Sequence, residues 1–257
     1  MKTTIKFLLI IALLLFPASV MGKVKDPAPG RAACDPKIVL KTDPKIAGTV
    51  CKPRYVTEET VAIVLVQESN KLDRDWNSKI GKKLAGELTM RGVLTFRFDM
   101  PGKGKSGKLP KGKDEKVYGK IIGEAAKWIN KVFGIKKKRI FLLAHGDGAK
   151  HIVQAANHWR KLKWNYGGLI FVESNSSVAT AEDLTKLREP AMIARGTRDG
   201  AVSIEEIDKI QKGMKRSRGT RLSTIEGMGH DLRLSDKSIS YSLVIAIQQW
   251  ADKWGRR

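Results

Sequence analysis

The chain has 257 residues, and 49 Lys and Arg against 26 Asp and Glu give it a formal charge of +23. Such an excess attracts polyanions: lipopolysaccharide, anionic lipids, wall polymers or nucleic acid. No zinc-finger spacing, aromatic RNA-binding motif or heptad basic region accompanies it, so specific nucleic-acid recognition is not expected. Basic residues recur along the whole chain, and solubility alone accounts for many scattered lysines.

Residues 1–22 read as a secretory signal peptide. Lys2 and Lys6 precede an apolar run from Phe7 to Phe16, then Pro17 and small residues lead to a cleavage position after Gly22. A permanent anchor is the alternative, but the run is shorter than the ~20 residues a spanning helix needs. No cysteine stands directly after the run to carry a lipid. The mature protein is therefore expected to be exported, periplasmic or secreted, with about 235 residues, enough for one α/β core. Residues 23–57, rich in Pro, Lys and Asp, read as an extended arm with an apolar patch at Ile38, Val39 and Leu40 that suits an edge strand. Cys34 and Cys51 are the only cysteines, and in an oxidising compartment they are expected to pair. On the chain-entropy model such a closure stabilises by roughly 3 kcal/mol; two free thiols are the alternative.

From 58 to 257 strand and helix signals alternate. Val61 to Val66 is a continuous apolar run that suits a strand buried on both faces. Trp76, Ile80, Leu84 and Leu88 repeat at helical spacing, and a strand follows at Val93 to Phe98. Ile121, Ala125, Trp128 and Val132 predict the next helix, before a strand at Ile140 to Ala144. Ile152, Ala155, Ala156 and Trp159 then line a helix, strands are predicted at Leu169 to Val172, Ala191 to Ala194 and Leu222 to Ile225, and Leu243, Ile247, Trp250 and Trp254 form a last helical stripe. This order predicts a mostly parallel sheet flanked by helices, with reactive groups at the carboxyl ends of the strands.

Between the strand at Ile140 and the helix after it stands Ala144-His145-Gly146-Asp147-Gly148. The spacing is that of the nucleophile elbow, Gly-x-Ser-x-Gly, whose small flanking residues let strand and helix backbones approach closely. Gly146 stands where the serine belongs.

Together with Asp73 to Asn77, Arg97 to Gly107, Gly196-Thr197-Arg198-Asp199 and Gly227-Met228-Gly229-His230, this elbow gives the chain from Val61 to Trp254 a resemblance to the α/β-hydrolase superfamily. The order nucleophile, acid, histidine is that superfamily's own. The chain is also similar to uncharacterised exported bacterial members with His-Gly-x-Gly-Ala at the elbow. The resemblance implies an α/β-hydrolase fold, with Asp199 as the acid that orients an imidazole and His230 as the general base. It places Gln67 and Asp147 in the oxyanion region, where Gln67-Glu68-Ser69 replaces the usual His-Gly stretch and Glu68 sets a carboxylate near the developing charge. Only residues 173–190 separate two of the predicted strands, too few for a large cap domain.

Three routes to an attack remain open. Asp147 could act as the aspartate of dehalogenases does, in a shifted register; Ser174, Ser176 or Ser177 could be a relocated serine; or His230 could activate water in the space that the missing side chain leaves. Gly104-Lys105-Ser106 resembles the end of a phosphate-binding loop, but Asp99 occupies the position where that motif needs its first glycine. No cofactor and no metal are expected. The functional expectation is a catalytically degenerate, exported protein that binds anionic envelope polymers or lipids. The alternative is a hydrolase of esters, thioesters or amides that takes a small-molecule ester through the Asp199–His230 dyad.

Overall fold

The computed structural model describes residues 32–67, 74–76, 79–109 and 116–256. The expected signal peptide and the Glu68-Ser69 pair lie outside them. The apolar runs of the sequence become the middle of an eight-stranded sheet. In chain order the elements are β1 (Ala33–Leu40), β2 (Ile46–Lys52), β3 (Ala62–Val66), α1 (Ile80–Met90), β4 (Leu94–Phe98), α2 (Lys116–Phe133) and β5 (Ile140–His145). They continue with α3 (Gly148–Lys161), β6 (Gly168–Val172), α4 (Ala181–Thr185), β7 (Ala191–Gly196), α5 (Ile204–Gly213), β8 (Thr220–Ile225) and α6 (Tyr241–Gly255). The strand order is β1-β2-β4-β3-β5-β6-β7-β8. Every pair from β4 to β8 is parallel, and only β1 with β2 and β2 with β4 run antiparallel.

Every residue of β3, β4, β5 and β6 is buried, because helices cover both faces of the sheet. Alternation decides which face each side chain joins. Ala62, Val64 and Val66 point into the layer under α2, α3 and α5, with Ile121, Ala125, Ile152 and Ile210. Ile63 and Leu65 point the other way, onto Leu84 and Leu88 of α1 and Ile247 and Trp250 of α6. Each fully buried aliphatic or aromatic side chain stabilises by roughly 1.5–3 kcal/mol, so these two layers hold the frame on which the strand ends are set. Among the described residues no helix is long and apolar enough to cross a membrane.

Two expectations need correction. The described part of the expected arm is a β-hairpin: β1, which carries Ile38, Val39 and Leu40, is the expected edge strand, but β2 belongs to the sheet itself and pairs with β4 from Gly48↔Phe98 to Cys51↔Thr95. Among the described residues, the Pro, Lys and Asp that made it read as an arm fall largely on β1 and on the turn before β2, and β2 buries six of its seven residues. Cys34 and Cys51 are register partners in the hairpin and form a disulfide. Trp76, for its part, lies ahead of α1, which begins at Ile80. Its backbone is left-handed (φ 60°), and its ring, buried, stacks on His145 with centroids 5.6 Å apart.

The turn after β4 closes around a carboxylate. Asp99 Oδ1 accepts the Arg74 N–H and Oδ2 accepts the Lys105 N–H, both at 2.9 Å, while the Arg74 guanidinium lies 3.0 Å from Oδ2. The Gly104-Lys105-Ser106 segment thus uses its backbone to wrap Asp99, the anion the chain carries in that turn.

Candidate active site

Parallel strands deliver their carboxyl ends to one edge, and the residues singled out from the sequence arrive there on β5, β7 and β8. The apex of the bend after β5 is Gly146. Its backbone is left-handed (φ 51°) while Asp147 is ordinary right-handed helix (φ −64°), so the strained position of the elbow falls on the residue without a side chain. Gly146 donates its N–H to the Val172 carbonyl at 2.9 Å, and its own carbonyl accepts the Ala149 N–H at 3.1 Å. The elbow is therefore tied to β6 on one side and to the start of α3 on the other. Gly148 is small for a different reason: a Cβ there would lie 2.3 Å from the Gln67 carbonyl oxygen. Gln67, at the end of β3 and buried, therefore lies directly beside the elbow; Asp147 is exposed at the start of α3.

Asp199 and His230 meet across the β7 and β8 turns. His230 Nδ1 donates to Asp199 Oδ2 at 2.9 Å. Asp199 Oδ1 accepts the N–H groups of Ala201 at 2.7 Å and Val202 at 3.3 Å. Burial raises the Asp199 pKa, but the neighbouring Glu173 carboxyl, the hydrogen bond from His230 and that from the Ala201 N–H outweigh it and bring the carboxyl down to about 2. His145, the last residue of β5, donates its Nε2–H to the His230 carbonyl at 2.7 Å, and the two imidazole centroids are 5.2 Å apart. This bond hangs the histidine loop from the elbow strand, a role its place in the motif does not announce.

The serines considered as replacement nucleophiles are engaged elsewhere. Ser174 is fully buried and donates to the Gly146 carbonyl at 3.1 Å. Ser176 donates its N–H and its hydroxyl to Glu206 Oε2, and Ser177 donates to Asn175. All residues between β6 and β7 are described, and they hold a single 3-10 turn at Ser176–Val178 and one short helix, α4. No cap domain is inserted there, and the His230 side chain keeps 35% of its surface exposed.

One residue of the site escaped the sequence reading. Glu173 follows β6 directly, has no exposed surface, and accepts the Gly196 N–H on Oε1 at 2.6 Å. Its only signal in the sequence is its position as the first polar residue after a buried parallel strand. With Asp199 and His230 it forms a group whose three ligand-type atoms lie within 4.8 Å of one another, and these are the residues that could hold a cation here.

No family model matches the chain, and no curated protein is similar to it in sequence. Solved structures do match. Est1E from Butyrivibrio proteoclasticus, in its complex with ferulic acid, superposes with a TM-score of 0.66 at 16% identity, covering 86% of this chain and 100% of that one. A predicted CIB-like hydrolase from Thermoplasma acidophilum gives 0.64 at 16% identity, over 86% and 99% of the two chains. Dienelactone hydrolase from Anabaena variabilis gives 0.58 at 14%, over 85% and 94%. Together with the strand order and the elbow, these likenesses identify the fold: the chain is an α/β-hydrolase-fold protein. At such identities they speak for the fold alone, so what the site does has to be argued from its own residues.

Proposed function

We propose that this is an exported α/β-hydrolase-fold protein that no longer forms an acyl-enzyme and acts by binding, with an anionic polymer or lipid of the cell envelope as its partner. The observation that carries the reading is Gly146. The left-handed apex of the elbow has no atom with which to attack, and the serines next to it are held by other acceptors. Export is supported by the apolar leader and by the disulfide, which persists in oxidising compartments. The anionic partner is supported by the formal charge of +23.

A hydrolysis screen with short-chain aryl esters tests the loss of catalysis. Wild type and His230→Ala are expected to show the same background. Turnover in wild type that disappears in the variant would overturn the binding reading and establish a second one, in which His230, paired with Asp199 at 2.9 Å, deprotonates a water for direct attack on an ester, thioester or amide. The partner is tested separately. Retention of the protein on anionic vesicles should weaken steeply between low and physiological salt, as exposed charges become screened within about 8 Å. Retention indifferent to salt would exclude an electrostatic partner.

A further inference from the structure

We propose that Glu173 is a third member of the site: a carboxylic acid that stays protonated at neutral pH, donates its proton to Asp199, and so holds Asp199 in line with His230. The inference goes beyond the reading above and holds whether the site binds a ligand or hydrolyses one.

The geometry poses a problem that a proton on Glu173 solves. Glu173 is fully buried, and its Oε2 has no hydrogen-bond donor among the described residues, although it lies in the group that brings Asp199 and His230 within 4.8 Å. Two ionised carboxylates have no proton to share, and at such range they repel. A single proton on Oε2 converts the repulsion into a hydrogen bond and gives the orphaned oxygen a partner. Asp199 is the wrong place for that proton, because its two oxygens already accept from Ala201, Val202 and His230, contacts that all favour the anion. Glu173 has one such contact, from the Gly196 N–H. The titratable groups that face it are Asp199 from the turn after β7 and His230 from the turn after β8, with the His145 ring beside His230. Burial, then the hydrogen bond and charge of Asp199, push Glu173 up to about 9 against the opposing effects of Gly196 and His230.

The backbone adds an independent observation. Glu173 has φ 50°, a left-handed conformation that is strained for a residue with a Cβ. Strain of this kind persists where the surroundings over-determine it, characteristically at functional sites. A neutral acid in this place supplies a donor to Asp199 without a second negative charge, so the basicity of His230 answers to Asp199 alone. Glu173 is thus a positioning residue, acting on the imidazole through the aspartate.

The test is an NMR titration of the His230 imidazole in the whole protein and in Glu173→Gln and Glu173→Ala. Glutamine keeps the shape, and its amide can donate to Asp199 while its oxygen accepts from Gly196. Glu173→Gln should therefore leave the proton affinity of His230 unchanged within about twofold and keep the Nδ1–H resonance. Glu173→Ala should lose that resonance to exchange. If Glu173 were ionised, glutamine would remove a buried negative charge and lower the proton affinity of His230 by about tenfold or more, which would overturn the proposal. Survival of the Nδ1–H resonance in Glu173→Ala would overturn the positioning role. Should the variants fail to fold, the wild type decides: with glutamate labelled by 13C, a protonated-carboxyl stretch at pH 7 is expected, and its absence overturns the assignment. Stoichiometric uptake of Zn2+ or Mn2+ by wild type and not by Glu173→Gln would overturn it too, by putting a cation where the proton is claimed.

Discussion

Replacing Gly148 with alanine should destabilise the protein by about 3 kcal/mol and pull the elbow apart. The added Cβ would lie 2.3 Å from the Gln67 oxygen and 3.0 Å from both the Gln67 carbon and the Val66 oxygen. All three are backbone atoms of the β3 end, so no side chain can rotate away. Relief requires α3 to move off the sheet, and α3 is fastened there by Ile152, Ala155, Ala156 and Trp159, all buried. Interiors this closely packed transmit such a displacement instead of absorbing it. Gly86 is the control. It sits in the middle of α1 with nothing within 4 Å of a Cβ, and there alanine should stabilise by about 1 kcal/mol through helix propensity. Denaturant titrations that lower the midpoint of Gly148→Ala and raise that of Gly86→Ala at equal m-values check the pair. An unchanged midpoint for Gly148→Ala would refute the close approach of α3 to β3.

Stability should also fall as the pH rises from about 4.5 to about 9, and Glu173→Gln should remove most of that limb. Glu173 has an ordinary value of 4.5 and a folded-state value of about 9. Between the two the folded protein retains a proton that the unfolded chain releases, so its contribution is complete below about 4.5 and is lost as the pH climbs through about 9. The slope approaches about 1.4 kcal/mol per pH unit inside that window. Asp199 acts in the opposite sense. Its folded-state value of about 2 lies below the ordinary 3.8, so its contribution is present above about 4 and is lost as the pH falls through about 2. The difference between wild type and Glu173→Gln, measured by denaturant melts from pH 5 to 9, isolates the alkaline limb. Parallel curves would show that Glu173 is already ionised in the folded protein.

Much of the fold was legible because its signals are local. The continuous apolar runs at Val61 to Val66 and Ile140 to Ala144 became β3 and β5, central strands buried on both faces. The stripe through Ile152, Ala155, Ala156 and Trp159 became the inner side of α3. Of the site, Gly146 at the elbow and the Asp199 and His230 turns could be located because short motifs mark them. The hairpin of β1 and β2 was obscured because a strand with Gly48 and Thr49 in its middle shows no simple alternation, and its burial comes from pairing with β4. Glu173 was passed over because one glutamate after one strand carries no pattern.

By itself the sequence determined what neighbouring residues decide: which stretches are strand and which helix, that the bend after β5 needs small residues, and that its apex lacks a side chain. Only the tertiary structure decided which groups face one another. His230 and Asp199 are 31 residues apart, and Glu173 reaches Gly196 across 23, distances over which chain order says nothing about contact. The parallel sheet sets the ends of β6, β7 and β8 side by side, and that proximity, with the burial of Glu173, is what shifts one carboxyl toward its neutral form and the other toward its charged one.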